Sequence, residues 1–238
     1  MKPSPPRGAS SGPLIVRRFG VVDYVAAWRA MREFTDARQS DARDELWFLQ
    51  HYPVFTLGQA GRREHLLSPG AVPVVESDRG GQVTFHAPGQ CVVYLLYDLK
   101  RARLGVRRLV ERIEQAIMDL LQCAGMQGSR RSGAPGVYVQ GRKIAALGLR
   151  VRSGCSYHGL ALNVDPDLEP FGRIEPCGIR GLEVTSLKDL GVGWTVADTE
   201  DRLIPILAAH LGYCVDAVVQ HRGEFPTSAY GAASAGLR

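Results

Sequence analysis

Cys177 lies in Glu175-Pro176-Cys177-Gly178-Ile179, a loop bounded by proline and glycine. Most unpaired cysteines are small core residues. This setting, with a stiffened approach and room beside the sulfur at Gly178, suits a nucleophile instead. The thiolate is the reactive form, so such a cysteine needs a base or a positive charge close by. Lys143 and His158, the latter in Ser156-Tyr157-His158-Gly159, are the side chains that offer one. Lys143 opens the run Lys143-Ile144-Ala145-Ala146-Leu147-Gly148-Leu149, apolar on both faces as in a buried central strand. A lysine pressed against such surroundings loses hydration and with it part of its proton affinity, which suits a base. A lysine snorkelling off a strand end would read the same way.

The block Arg79-Gly80-Gly81-Gln82-Val83-Thr84-Phe85-His86-Ala87-Pro88-Gly89-Gln90 is the third candidate. Paired glycines let a ligand approach the backbone and leave N–H groups free to meet it. Thr84 and His86 share one face of an extended chain. A tight hairpin with incidental polar residues is the competing reading. The small residues Ala146, Gly148, Gly159 and Ala161, around Leu147 and Leu160, would either line a slot for an unbranched chain or let neighbouring elements pack closely. Of the remaining cysteines, Cys123 on a helix and Cys91 and Cys214 in strands are expected in the core, and Cys155 stays open.

The elements that must hold these residues alternate between helical and extended patterns. Tyr24, Trp28, Met31 and Phe34 follow Asp23, a suitable N-cap. Glu45 to Gln50, Val54 to Leu57, Val72 to Val75, Gln82 to Phe85 and Gln90 to Tyr97 read as strands. An amphipathic helix runs through Leu109, Ile113, Ile117 and Leu120 to a stop at Gly125. Gly136 to Val151 reads as a hairpin turning at Gln140-Gly141-Arg142, and Ser156 to Val164 as a strand. Ser186 with Asp189 predicts a short helix. A longer helix spans about 198–211, and a last strand lies near Tyr213 to Val215. Helices between hairpins indicate an α+β, or mixed α/β, domain over 14–223. Pro-, Gly- and Ser-rich tails are expected at 1–13 and 224–238.

Composition narrows the class. With 238 residues, 45% of them apolar and 22% charged, the chain can bury a sizeable core. No apolar run approaches the roughly 20 residues that cross a bilayer. Leu14 to Val22 is broken by Arg17 and Arg18, so a signal peptide is not expected and the cytoplasm is. Five cysteines with no CxxC pair argue against a disulfide framework and a tetrahedral zinc site. The net charge of +5 is spread over scattered arginines, with only Lys2, Lys100, Lys143 and Lys188 as lysines. That pattern reads as a solvated surface, not a nucleic-acid site.

Taken in order, these motifs resemble the lipoyl(octanoyl) transferases, relatives of the biotin and lipoate protein ligases. The pattern starts at His51-Tyr52-Pro53-Val54-Phe55-Thr56-Leu57-Gly58. It continues through the Arg-Gly-Gly block at 79–90, Lys-Ile-Ala-x-x-Gly at 143–148, Tyr-His-Gly-x-Ala-Leu-Asn-Val at 157–164 and Pro-Cys-Gly…Val-Thr-Ser-Leu at 176–187. The resemblance implies a biotin/lipoate-ligase-like core, a mixed sheet flanked by helices with a pocket over the sheet. It places the catalytic cysteine and lysine on Cys177 and Lys143, and the acyl-contacting segments on Arg79 to His86, Ala146 to Gly148 and Gly159 to Ala161. His158 and Gly178 are possible supporting residues. Where the family has His-Gly-Pro-Gly-Gln, this chain has Ala87; a residue before proline is biased to extended geometry, where alanine is tolerated.

The reaction so implied is a ping-pong transfer of an octanoyl group from octanoyl-acyl carrier protein to a lysine of a lipoyl domain. Lys143 serves as the base, and backbone N–H groups around Cys177-Gly178 face the oxyanion. The expected acceptors are lipoyl domains of 2-oxoacid dehydrogenase E2 subunits and the glycine cleavage H protein. The enzyme is expected to be a monomer working without metal, ATP, nucleic acid or membrane. Each buried methylene is worth about 0.8 kcal/mol, so selection for eight carbons should be soft. The rivals are an ATP-dependent lipoate or biotin ligase, for which Cys177 would be dispensable, and a basic binding module indifferent to it.

Overall fold

The computed structural model describes residues 12–225. The expected tails therefore fall largely outside the described residues. Where the chain is described beyond 223, Phe225 packs edge-on against Phe19 and Trp47, so the packed part extends past the predicted boundary.

In chain order the strands are β1 (Leu14–Val22), β2 (Glu45–His51), β3 (Val54–Leu57), β4 (Val74–Glu76) and β5 (Val83–His86). They continue with β6 (Gln90–Leu96), β7 (Gly136–Val139), β8 (Arg142–Arg152), β9 (Cys155–Asn163) and β10 (Val218–Arg222). The helices are α1 (Tyr24–Ala37), α2 (Val106–Cys123) and α3 (Val196–Leu211). Seven strands form one mixed sheet in the order β10-β1-β2-β6-β9-β8-β7, and β4-β3-β5 form a smaller one. The mixed sheet flanked by helices is the architecture expected.

Strand alternation divides the core. Along β6, Val93 and Leu95 face α2 and α3 with Leu46, Phe48, Leu109, Ile113 and Leu207. Val92, Tyr94 and Leu96 face the opposite way, against Ala27, Ala30 and Met31 of α1 with Trp47 and Leu49. A strand covered on both faces carries apolar residues at successive positions, as β6 does from Cys91 to Leu96. The small sheet has its own cluster of Phe55, Val83 and Phe85 with Phe171 and Ile174.

Local signals fix several boundaries. The Asp23 carboxylate accepts from Ala26 N at 2.9 Å and starts α1. α3 begins at Val196, two residues before the expected start. Thr195 and Asp198 form a reciprocal capping box there, and Gly212 ends the helix in the left-handed region. The β7–β8 turn is the two-residue Gln140-Gly141, both at positive φ, so Arg142 already belongs to the strand.

One strand was not foreseen, and three expectations need correction. β1 was not predicted as a strand because Arg17 and Arg18 interrupt its apolar pattern. Arg18 nevertheless takes a core-facing position and ends its guanidinium on Asp201, at 2.5 Å. Ser186 initiates a turn, not a helix, although its hydroxyl does accept from Asp189 N. The last strand lies at Val218–Arg222, after a 3-10 turn at Val215–Ala217, because its partner is β1. Cys123 and Cys214 are exposed and only Cys91 is core; Cys155 is buried as well. No helix among the described residues is long and apolar enough to cross a membrane.

Candidate active site

The backbone of Lys143 is fixed from both sides. On one side it pairs with Tyr138 of β7. On the other its N–H donates to Glu183 O at 2.8 Å and its carbonyl accepts from Thr185 N at 2.9 Å. The chain that follows Cys177 is thereby docked along the start of β8, which closes the 34-residue separation between the two side chains. Lys143 Nζ donates to Cys177 Sγ at 2.8 Å and to Pro135 O at 2.9 Å. Lys143 is 4% exposed and Cys177 half-buried, so the contact is largely shielded from solvent. β7 can pass over it only at a glycine. A Cβ on Gly136 (φ +144) would lie 2.6 Å from Lys143 Cε and 2.5 Å from Ala145 O.

Cys177 itself has φ +60, a left-handed conformation that disfavours a side chain. The turn is held by Gly178 N donating to Glu175 O at 2.9 Å and Ile179 N to Pro176 O at 3.1 Å. The Gly178 N–H is thus engaged within the turn, contrary to its expected part in facing an oxyanion.

Cys177 and Lys143 stand at a cavity of about 430 Å³, within the usual size range of small-ligand pockets. Its walls combine Arg79 to Thr84 and His86 with Ala145 to Leu149 on β8, and His158 to Ala161 on β9. Of the expected acyl-contacting residues, only Phe85 is absent from the lining; its side chain packs with Phe55 and Phe171, in the cluster that Val83 shares. Period-2 geometry requires this once Thr84 and His86 face the cavity. Gly148 and Gly159 face each other across β8 and β9. These small residues line the cavity and also admit close backbone contact. A Cβ at Gly159 would lie 2.1 Å from Val93 O, and one at Gly148 2.8 Å from Gly80 O. Ala87 is not among the residues at positive φ; the loop takes its left-handed residue at Gly89 (φ +92).

Arg79 borders the cavity, but its guanidinium is used internally. It donates to Thr56 Oγ1 (3.0 Å), Thr56 O (2.6 Å), Gln82 O (2.7 Å) and Gly80 O (2.9 Å). It ties the Gly80-Gly81 loop to β3. Burial lowers its proton affinity, yet a guanidinium remains charged. Two histidines, His86 and His158, also line this mainly apolar cavity. Burial holds the His86 imidazole well below its usual range, with the neighbouring His51 and Arg79 acting in the same direction. His86 Nδ1 meets Gln90 Oε1 at 3.2 Å and its ring stacks on Tyr24. His158, at φ +57, is lowered by burial in spite of Asp78, whose Oδ1 lies 2.9 Å from Nε2. Asp78 also accepts from Trp28 Nε1 at 2.7 Å and from the Tyr157 hydroxyl. Against the upward push of its own partial burial, hydrogen bonds from His158, Tyr157 and Trp28 hold its carboxyl well below the usual range.

His158 therefore braces the cavity with Asp78 and is not a partner of Cys177. Sequence reasoning missed Pro135, which accepts from Lys143, and the wall residues Tyr24 and Tyr94. Asp78 was legible only as the neighbour of Arg79. Among the described residues, no group of three or more His, Cys, Asp or Glu side chains is arranged to hold a metal.

Comparison with known proteins places this geometry in a family. Residues 23–208 match the family model described as lipoyl protein ligase A/B catalytic domain. An octanoyltransferase of Azoarcus sp. (strain BH72) is 60% identical over 200 residues, covering 84% of this chain and 88% of its own. One from Chromobacterium violaceum is 57% identical over 199 residues, covering 84% and 96%. Among solved structures, a lipoate-protein ligase A bound with ATP superposes with a TM-score of 0.70 over 89% of each chain, at 13% identity. The bi-partite lipoate protein ligase of Thermoplasma acidophilum gives 0.68 over 90% and 87%, at 14% identity. At such identities these two structures speak to the fold alone. The family match and the identities of 57–60% stand beside the contact of buried Lys143 with half-buried Cys177 at the cavity: the chain belongs to the lipoyl protein ligase A/B catalytic family, within its octanoyltransferases.

Proposed function

We propose that the chain moves an octanoyl group from octanoyl-acyl carrier protein to the lysine ε-amine of lipoyl domains by way of a thioester on Cys177. The observation that carries this reading is the 2.8 Å contact between Lys143 Nζ and Cys177 Sγ at the cavity. Lys143 takes the thiol proton as the sulfur attacks the donor thioester, and returns it to the departing phosphopantetheine thiolate. The bond formed and the bond broken are both thioesters, so the first step is close to neutral and needs neither ATP nor metal. The second step exchanges a thioester for a more stable amide, which draws the reaction forward. E2 lipoyl domains and the H protein of glycine cleavage are the acceptors of this proposal, and the enzyme acts as a monomer.

Octanoyl transfer is favoured over ATP-dependent ligation by the 60% identity to an octanoyltransferase, against a likeness to a ligase that is one of fold. The test is the intact mass of the protein after mixing with octanoyl-acyl carrier protein in the absence of ATP. The expected result is one hydroxylamine-labile octanoyl adduct, lost in Cys177→Ser. Full activity of Cys177→Ser, or activity that requires ATP and free fatty acid, would overturn the proposal.

A further inference from the structure

Lys143 can serve the sulfur, but the second step poses a separate problem. The acceptor lysine reaches the site as an ammonium, with an ordinary pKa near 10.4, and must lose a proton before it can attack. Lys143 is already committed to Cys177 Sγ and Pro135 O, where it supports the departing sulfur. The step calls for a second base beside Cys177, one that takes this first proton and leaves Lys143 to pass the other to the departing sulfur.

His65 has the geometry for that role. Its segment is zipped to the one that precedes Cys177. Leu66 pairs with Ile174, Leu67 N donates to Arg173 O at 2.9 Å, and Glu175 N donates to His65 O at 2.9 Å. The side chains are joined as well: His65 Nδ1 lies 2.8 Å from Glu175 Oε2. A carboxylate can only accept, so this bond puts the ring proton on Nδ1 and leaves Nε2 as an open acceptor. Nε2 lies against the residue next to the nucleophile. A Cβ at Gly178 (φ +66) would be 3.1 Å from it and 3.4 Å from the Gln82 side-chain nitrogen. A side chain at 178 would therefore crowd the imidazole beside Cys177.

The charges around Nε2 suit a cation. Glu175 lies behind the ring, the exposed Glu64 carboxylate is 4.0 Å from Nε2, and the Lys143–Cys177 pair lies beyond Gly178. Arg62 and Arg63, which flank the segment, are turned to Glu64 and Glu76. The His65 side chain retains 14% exposure, so it can be reached from solvent.

We propose that His65, oriented by Glu175, is the base that deprotonates the acceptor lysine, an assignment that rests on the acyl-enzyme reading above. The ammonium gives one proton to His65 Nε2, and the free amine attacks the Cys177 thioester carbonyl. The C–N bond forms as the C–S bond breaks. The second nitrogen proton passes through Lys143 to the sulfur, and His65 releases its proton to solvent.

The test separates the half-reactions on the full chain. His65→Asn keeps a donor for Glu175 and removes the base. Octanoylation of Cys177 by octanoyl-acyl carrier protein should stay within about twofold of wild type, whereas discharge to a lipoyl domain should slow about 100-fold. Discharge of the same acyl-enzyme by hydroxylamine, which attacks as a neutral amine, should be unchanged. Glu175→Gln should show the same pattern more weakly and decides the matter if His65→Asn does not fold. Equal discharge to the lipoyl domain, or equal slowing with hydroxylamine, would overturn the assignment. If wild type itself forms no octanoyl-Cys177, the acyl-enzyme reading fails first and this one with it.

Discussion

Arg79 distinguishes a residue that builds the cavity from one that binds its ligand, and Arg79→Lys tests which it is. The guanidinium makes four hydrogen bonds at 2.6–3.0 Å, three of them to backbone carbonyls on either side of the Gly80-Gly81 loop. An ammonium has three donors on one atom and cannot span Thr56 and Gln82 as the planar fork does. At least one buried carbonyl is left unpaired, at a cost of about 1–3 kcal/mol, and one or more charge-assisted bonds are lost at about 1.5–3 kcal/mol each. Since such terms do not add fully, a net destabilisation of about 3 kcal/mol is expected. For a chain of this size that lowers Tm by roughly 6–12 °C. The assay is thermal unfolding paired with the KM for octanoyl-acyl carrier protein, measured well below the Tm of the variant. A Tm within about 1 °C of wild type together with a tenfold higher KM would refute the reasoning and make Arg79 a ligand-contacting residue.

Two further outcomes concern pH. Burial pushes His51 down to about 4, and the ring is held by Val22 O on one side and the Tyr94 hydroxyl on the other. Between about pH 6.5 and 4 the unfolded chain binds a proton that the folded one refuses, so stability rises with pH across this window and is lost as the solution is acidified. His51→Gln should flatten the fall of Tm between pH 6.5 and 4.5; an unchanged slope would exclude His51 as a source. Glu200 has the opposite sign. Burial raises it to about 7, against the pull of Arg18, so its contribution is present at low pH and lost as pH rises from about 4.5 to 7. Glu200→Gln should raise Tm at pH 8 and leave it unchanged at pH 4.5, which differential scanning calorimetry at the two values will show.

Much of the fold was legible because its signals are local. Strand alternation, the Asp23 cap and the apolar stripe of α2 each follow from residues a few positions apart. β1 escaped because its two arginines are tolerated only through Glu45, Glu200 and Asp201, which lie elsewhere in the chain. β10 was misplaced because an edge strand with four of its five residues exposed owes its existence to its neighbour and not to its own pattern.

At the site, residue type alone singled out Cys177, Lys143 and the Arg79–His86 block, since a Pro-Cys-Gly loop, a lysine heading an apolar strand and paired glycines are each unusual as packing. What those residues do was decided by tertiary structure. Lys143 reaches Cys177 because the chain at 183–185 docks along β8. His158 was assigned to Asp78, Arg79 was turned from the cavity to the loop beneath it, and His65 was brought beside Gly178. Sequence determines which groups are available for proton transfer. Only the fold, by setting distances of about 3 Å between segments far apart in the chain, determines which of them exchange protons.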